Sequence, residues 1–208
     1  MIFPVTYFPN ILIMGVAVYS GKLSLQTNEN YQKRSLRNSC NILTANGVIN
    51  LSIPLKAGKN NQNPIKSVLI SYDTPWKKIH KRTIETAYKQ SAYYEHYKGI
   101  VDDVLNIQTD FLFDFNHQII LLLHKTLKLP LDISFSEKFD KDYLQMVNNF
   151  ADKTISSKLC QICPTYPQVF EYKYGFTPGL SIIDLIFCLG PQLGDYLYDL
   201  GGRIHKKL

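Results

Sequence analysis

Cys40-Asn-Ile-Leu-Thr44, then Ala45, then Asn46-Gly47-Val-Ile-Asn-Leu-Ser-Ile-Pro54-Leu55 form the stretch on which the fold reading turns. Asn-Gly is the dipeptide most favoured in a two-residue type I′ turn, because both residues tolerate positive φ. After it, Ile49, Leu51, Ile53 and Leu55 alternate with Asn50, Ser52 and Pro54. That is the period of a half-buried strand. Pro54 has no N–H to give to a ladder, so it marks a strand end or an edge. The stretch predicts an antiparallel hairpin.

Toward the N-terminus, Ile2 to Phe8 is rich in β-formers and Lys22 to Gln26 is a second short strand candidate. Ile11 to Val18 between them is apolar and could pass for the core of a secretory signal. No Lys or Arg precedes it, and Pro4 and Pro9 interrupt the approach. No apolar run reaches the ~18 residues of a membrane span, so the expected compartment is the cytoplasm. Asn28 to Asn38 is polar and basic.

Toward the C-terminus, a Gly/Asn/Lys-rich loop, Ala57 to Pro64, precedes a further strand candidate, Ile65 to Tyr72. The period then changes from two to 3.6. Asp73 or Thr74 can cap a helix with Pro75 in its first turn. Trp76, Ile79, His80, Thr83, Ile84, Ala87 and Tyr88 share one stripe of it. Further helices are expected over Tyr93 to Asn106, over Phe111 to Leu127 capped by Asp110, and over Asp142 to Asp152. Ser181-Ile-Ile-Asp184 is a capping box for a helix that Gly190-Pro191 ends. A last helix runs from about Pro191 to Leu200, and the basic tail 203–208 is expected to fray. Strands early and helices late predict an α+β fold: a largely antiparallel sheet in the N-terminal part, helices packed on one face, and a helical C-terminal part.

Composition narrows the functional classes. The 208 residues suffice for one large domain with its own core. Net charge is +6, with 14 Tyr and 11 Phe. A modest positive charge suits a phosphate-bearing partner. The basic residues are spread over three segments rather than gathered on one face, which disfavours nucleic acid. Cys160-Gln-Ile-Cys163 has no second ligand pair for zinc, and Pro164 follows directly, so no metal site is assigned. The Gly-rich phosphate loop, the dinucleotide fingerprint and the serine-hydrolase elbow are absent, and no cofactor is implied.

Tyr7-Phe-Pro9, Asn30-Tyr-Gln-Lys33, Leu36-Arg-Asn38, Asn46-Gly47 and Leu51-Ser-Ile-Pro54 follow one another in an ordered set. The set continues with Trp76-Lys-Lys-Ile-His80, Ala87-Tyr88, Asp110-Phe-Leu-Phe-Asp114-Phe-Asn116, and Phe176-Thr-Pro-Gly-Leu-Ser181-Ile-Ile-Asp184-Leu with Gly190-Pro191. In this order they resemble the WbqC-like family across about residues 3 to 193. The resemblance implies one WbqC-like domain over 1–208 and a role in O-antigen or other surface-polysaccharide biosynthesis, without a settled reaction. The chain departs from the family pattern at Ser39, where Arg is usual, at Lys81, where an aromatic is common, and at Cys188-Leu189, where Asn is usual.

Two constellations stand out. His80 can serve as general base toward a sugar hydroxyl or amine, or it can be a core histidine bonded to backbone. Asp114, at the start of an apolar helix, can orient His80, pair with Arg37 or simply meet the helix dipole. Lys33 and Arg37, with Asn30, Tyr31 and Asn38, can hold a phosphate or carboxylate. Arg34 in the same segment reads as solvated charge. Trp76 and Asn116 complete the expected binding set. The expectation is a transferase-like protein, with acyl or aminoacyl transfer to a sugar, acting on an anionic small molecule that is phosphorylated or carrier-linked. The alternative is a non-catalytic module that binds such an intermediate or scaffolds a complex.

Overall fold

The computed structural model of the chain describes residues 2–56, 62–137 and 158–207. Strand β1 (Ile2–Pro4) leads through α1 (Ile11–Ser20) into β2 (Lys22–Gln26). The hairpin β3 (Ser39–Thr44) and β4 (Gly47–Ser52) follows, then α2 (Trp76–Tyr88), α3 (Tyr94–Asn106), α4 (Leu112–Leu127) and β5 (Asp132–Ser136). The C-terminal part contains α5 (Glu171–Tyr174), α6 (Ile182–Leu189) and α7 (Leu193–His205). The helix expected over Asp142 to Asp152 lies outside the described residues.

The sheet is mostly parallel, which corrects the expectation of a largely antiparallel one. Its order is β1-β2-β5, with both neighbours of β2 parallel to it. The hairpin stands apart as a two-stranded sheet. The cause is the apolar stretch after Pro9. It forms α1, buried at every position from Ile11 to Val18. A segment that is apolar all round carries no period to distinguish helix from strand. As a helix it carries the chain back over the sheet, and the next strand re-enters parallel to the first. Asn10 starts α1 by accepting from the Leu12 N–H at 2.8 Å, and Gly21 ends it at φ 68°.

α7 lies along α1, so the end of the chain covers its beginning. The two backbones meet at glycines. A Cβ on Gly201 would overlap the Gly15 carbonyl oxygen. α7 also continues past Leu200 to His205, taking Arg203 into its last turn rather than leaving a frayed tail there.

Several local expectations shift. β3 and β4 pair Thr44 with Gly47, so Ala45 and Asn46 are the turn's centre. Gly47 alone takes positive φ, 92°, as in a type I turn followed by a left-handed glycine. The Thr44 hydroxyl accepts from the Asn46 N–H and donates to the Gly47 carbonyl, which fixes that geometry. Ile65 to Tyr72 forms a 3-10 turn (Ile65–Ser67) and single bridges, Leu55 with Ile70 and Leu69 with Phe111. Pro54 has already ended the strand that would have paired with it. Asp73 accepts from the Ser71 hydroxyl instead of capping α2, and Asp110 offers only its carbonyl, to the Ile70 N–H. Ser181 does cap α6, but Asp184 does not reach back to it. Among the described residues, no helix is long and apolar enough to cross a membrane.

Candidate functional site

In open α/β sheets, ligands sit outside the carboxyl ends of parallel strands. Two loops leave that edge here side by side: Val5 to Pro9 after β1, and Thr27 to Asn38 after β2. Tyr7 N–H donates to the Leu36 carbonyl at 3.0 Å and ties one loop to the other.

The first loop is strained. Phe8, buried, sits at φ 41°, a conformation that a bulky residue adopts only when its surroundings over-determine it. Those surroundings are the Ser181 hydroxyl donating to the Phe8 carbonyl at 3.1 Å and the Ile182 N–H donating to the Pro9 carbonyl at 2.8 Å. The start of α6 thus clamps the loop onto the start of α1.

The second loop has a charged interior. Arg37 is buried and forks onto the buried Glu29: Nε donates to Oε1 at 3.0 Å and Nη2 pairs with Oε2. Its remaining reach includes Gln32 at 3.4 Å. Asn116 on α4, also buried, donates through Nδ2 to the Arg37 carbonyl at 2.6 Å and to the Val5 carbonyl at 3.4 Å, so it pins both loops. Tyr31 is buried and donates to Asn38 Oδ1, while Asn38 Nδ2 donates to the Ser52 hydroxyl and the Ile53 carbonyl. Asn30, Lys33 and Arg34 are exposed on the outside of this loop.

His80 lies on the other side of the first loop. Its Nδ1 is 2.9 Å from the Tyr7 hydroxyl. The Ser52 backbone is its other polar contact, and Tyr7, Trp76 and the hairpin enclose it. The arrangement fits the Nε2–H tautomer, with Tyr7 donating and the Ser52 carbonyl accepting. Burial pushes the imidazole pKa down to about 4, against a smaller upward pull from Ser52. The ring is therefore neutral at pH 7. Trp76 is buried against His80 and Phe115. Its Nε1 and the Asn116 Oδ1 have no hydrogen-bond partner among the described residues. Asp114 is on the exposed face of α4, where its charge acts on His117.

Tyr31, Arg37, Trp76, His80 and Asn116, with the half-buried Asn38, thus converge on the two loops as a frame. Asn30 and Lys33 lie on its surface, and Asp114 stands outside it. Sequence reasoning passed over Glu29, although an acid eight residues before Arg37 in a basic loop is the available signal. It also passed over Lys77, whose ammonium lies 5.5 Å from the Tyr72 and Phe115 ring centres, 5.8 Å from that of Trp76, and donates to the Ile107 carbonyl. Loss of hydration lowers its pKa. A second buried hub escaped notice as well. Asp184 accepts from Tyr88 at 2.8 Å, from Tyr166 at 2.6 Å and from Gln168 at 3.0 Å, and burial raises its pKa. No single spacing announces that set.

The pattern of the WbqC-like protein family matches residues 6–152 and 138–196. The chain belongs to the WbqC-like family. No curated protein and no solved structure matches it. Membership suggests a protein related to polysaccharide biosynthesis. In this WbqC-like chain the motif residues Tyr7, Phe8, Arg37, His80, Asn116 and Ser181 hold the two loops at the carboxyl edge of the sheet. Among the described residues, no group of three or more His, Cys, Asp and Glu side chains could hold a metal ion.

Proposed function

We propose that this WbqC-like protein serves surface-polysaccharide biosynthesis by holding an anionic sugar intermediate, phosphorylated or carrier-linked, on the loop after β2. One observation carries the reading: the loops after β1 and β2 leave adjacent carboxyl ends of a parallel sheet, are tied together, and expose Asn30, Lys33 and Arg34. Neutral donors and two cations on a rigid base suit an oxyanion. Arg37 is engaged by Glu29, so it acts by positioning the loop rather than by meeting the ligand.

A transferase step with His80 as general base is the second reading. A base must come within hydrogen-bond reach of the proton it takes. His80 is enclosed, occupied by Tyr7 and weakly basic, and these facts favour binding over proton transfer by this residue. Asp114 is on the exposed face of α4 whereas His80 is buried, so it does not alter that preference.

Calorimetric titration of the full chain with UDP-N-acetylglucosamine and with a polyprenyl diphosphate-linked sugar tests the reading. The double variant Lys33→Ala/Arg34→Ala is expected to weaken binding about tenfold with an unchanged circular dichroism spectrum. Equal affinity in the variant removes the loop from the site. His80→Gln is expected to leave affinity intact. If the wild type transfers an acyl group to an amino sugar and His80→Gln abolishes that turnover alone, the transferase reading takes precedence.

A further inference from the structure

Between α2 and α3 lies a cleft of about 210 Å³. Its floor is apolar, with Ile84 and Val101 buried beneath it. Tyr94 forms one wall, with its ring held 5.2 Å from the centre of Phe187. The rim carries Lys81, Glu85, Lys98 and Asp102. Lys81 pairs with Asp102 at 2.6 Å, and Lys98 with Glu95, just outside the cleft, also at 2.6 Å.

Three features define what fits. The size is below the range of about 300–1,000 Å³ typical of sites for drug-sized ligands, so it suits one ring rather than a sugar nucleotide. The charges balance: two ammonium groups face two carboxylates, with Glu95 adding a third. Such a rim gives no net attraction to phosphate. It does offer acceptors and donors on both sides of an apolar floor beside one aromatic wall. A pyranose has that complement, with hydroxyls around its edge and C–H groups on its face, which pack well on aromatic surface. The phenol of Tyr94 is surrounded by these groups; burial first, then Glu85, raises its pKa, while Lys98 lowers it.

We propose that the cleft between α2 and α3 binds a single uncharged sugar ring, with Tyr94 against its C–H face and Glu85 and Asp102 accepting from its hydroxyls. The site is separate from the β2 loop and does not depend on the reading given above. Lys81 serves by fixing Asp102, and Phe187 by fixing the Tyr94 ring.

Saturation-transfer NMR on the full chain, with the methyl glycosides of glucose and N-acetylglucosamine, tests it. Glucuronate and glucose 1-phosphate serve as charged comparators. The expected result is transfer to the neutral glycosides, a loss of affinity of about tenfold in Tyr94→Ala, and retention in Tyr94→Phe. Glu85→Gln, at an exposed position that carries no fold contact in the core, is expected to weaken binding without changing the melting temperature. No transfer to either glycoside at millimolar concentration overturns the proposal. So does binding of the charged comparators alone, or equal binding by Tyr94→Ala and Glu85→Gln.

Discussion

At the scale of single residues, two buried polar pairs can be tested directly. His80 and Tyr7 are one. Folding holds the imidazole near pKa 4, below its ordinary value of 6.5. Between those values the unfolded chain binds a proton that the native one refuses, so stability falls as pH drops from 6.5 toward 4 and is fully present above 6.5. The loss is at most about 3 kcal/mol. Urea midpoints at pH 7.5 and 4.5 check this: His80→Gln is expected to show a flatter pH dependence than the wild type. Arg37 and Glu29 are the second pair. Arg37→Met alone takes the guanidinium from a buried carboxylate and is expected to cost about 3–5 kcal/mol, whereas Arg37→Met with Glu29→Leu recovers most of it. The same urea measurement on the single and double variants decides. Both pairs bear on how far the sequence can be read. His80 on an apolar stripe favours burial, and only the family resemblance brings catalysis level with it, because the stripe does not say what lies opposite. Tyr7 lies 73 positions away.

At the scale of elements, the hairpin was legible and α1 was not. Alternation in β4 is a local property of the chain, and it puts Leu51 and Ile53 inside as expected. Even there the turn slips by one residue, because Thr44 can bond both sides of it. α1 shows no alternation and no polar face, so nothing local marks it as helix. Its packing against α7 depends on backbone contact between Gly15 and Gly201. Gly201→Ala forces the helices apart and is expected to destabilise the protein by about 1–3 kcal/mol despite its gain in helix propensity. Gly202→Ala, next to it, meets only the edge of the Tyr19 ring at 3.1 Å and is expected to be close to neutral. Thermal unfolding of the two variants side by side separates packing from propensity.

At the scale of the molecule, one unread helix changed the sheet. Once α1 carries the chain back, β2 lies parallel to β1. β5 then joins β2 across a separation that no local pattern spans, Ser24 bonding to Ser134 over 110 positions. The convergence of Arg37, Trp76, His80 and Asn116 was legible only as a family-ordered set of motifs, since their contacts run through the β1 loop. Their burial was not, because it depends on Phe8 and on the start of α6 closing over that loop. The result is a polar frame whose exposed side carries Asn30, Lys33 and Arg34, the surface on which the proposed ligand would sit.

The most direct test of that arrangement is an ¹⁵N–¹H NMR titration of the full chain with UDP-N-acetylglucosamine, with the shifted amides mapped onto the sequence. Shifts are expected to concentrate in residues 28–38 and in the β1 loop tied to them. Saturable shifts elsewhere, with those two loops unmoved, would contradict it.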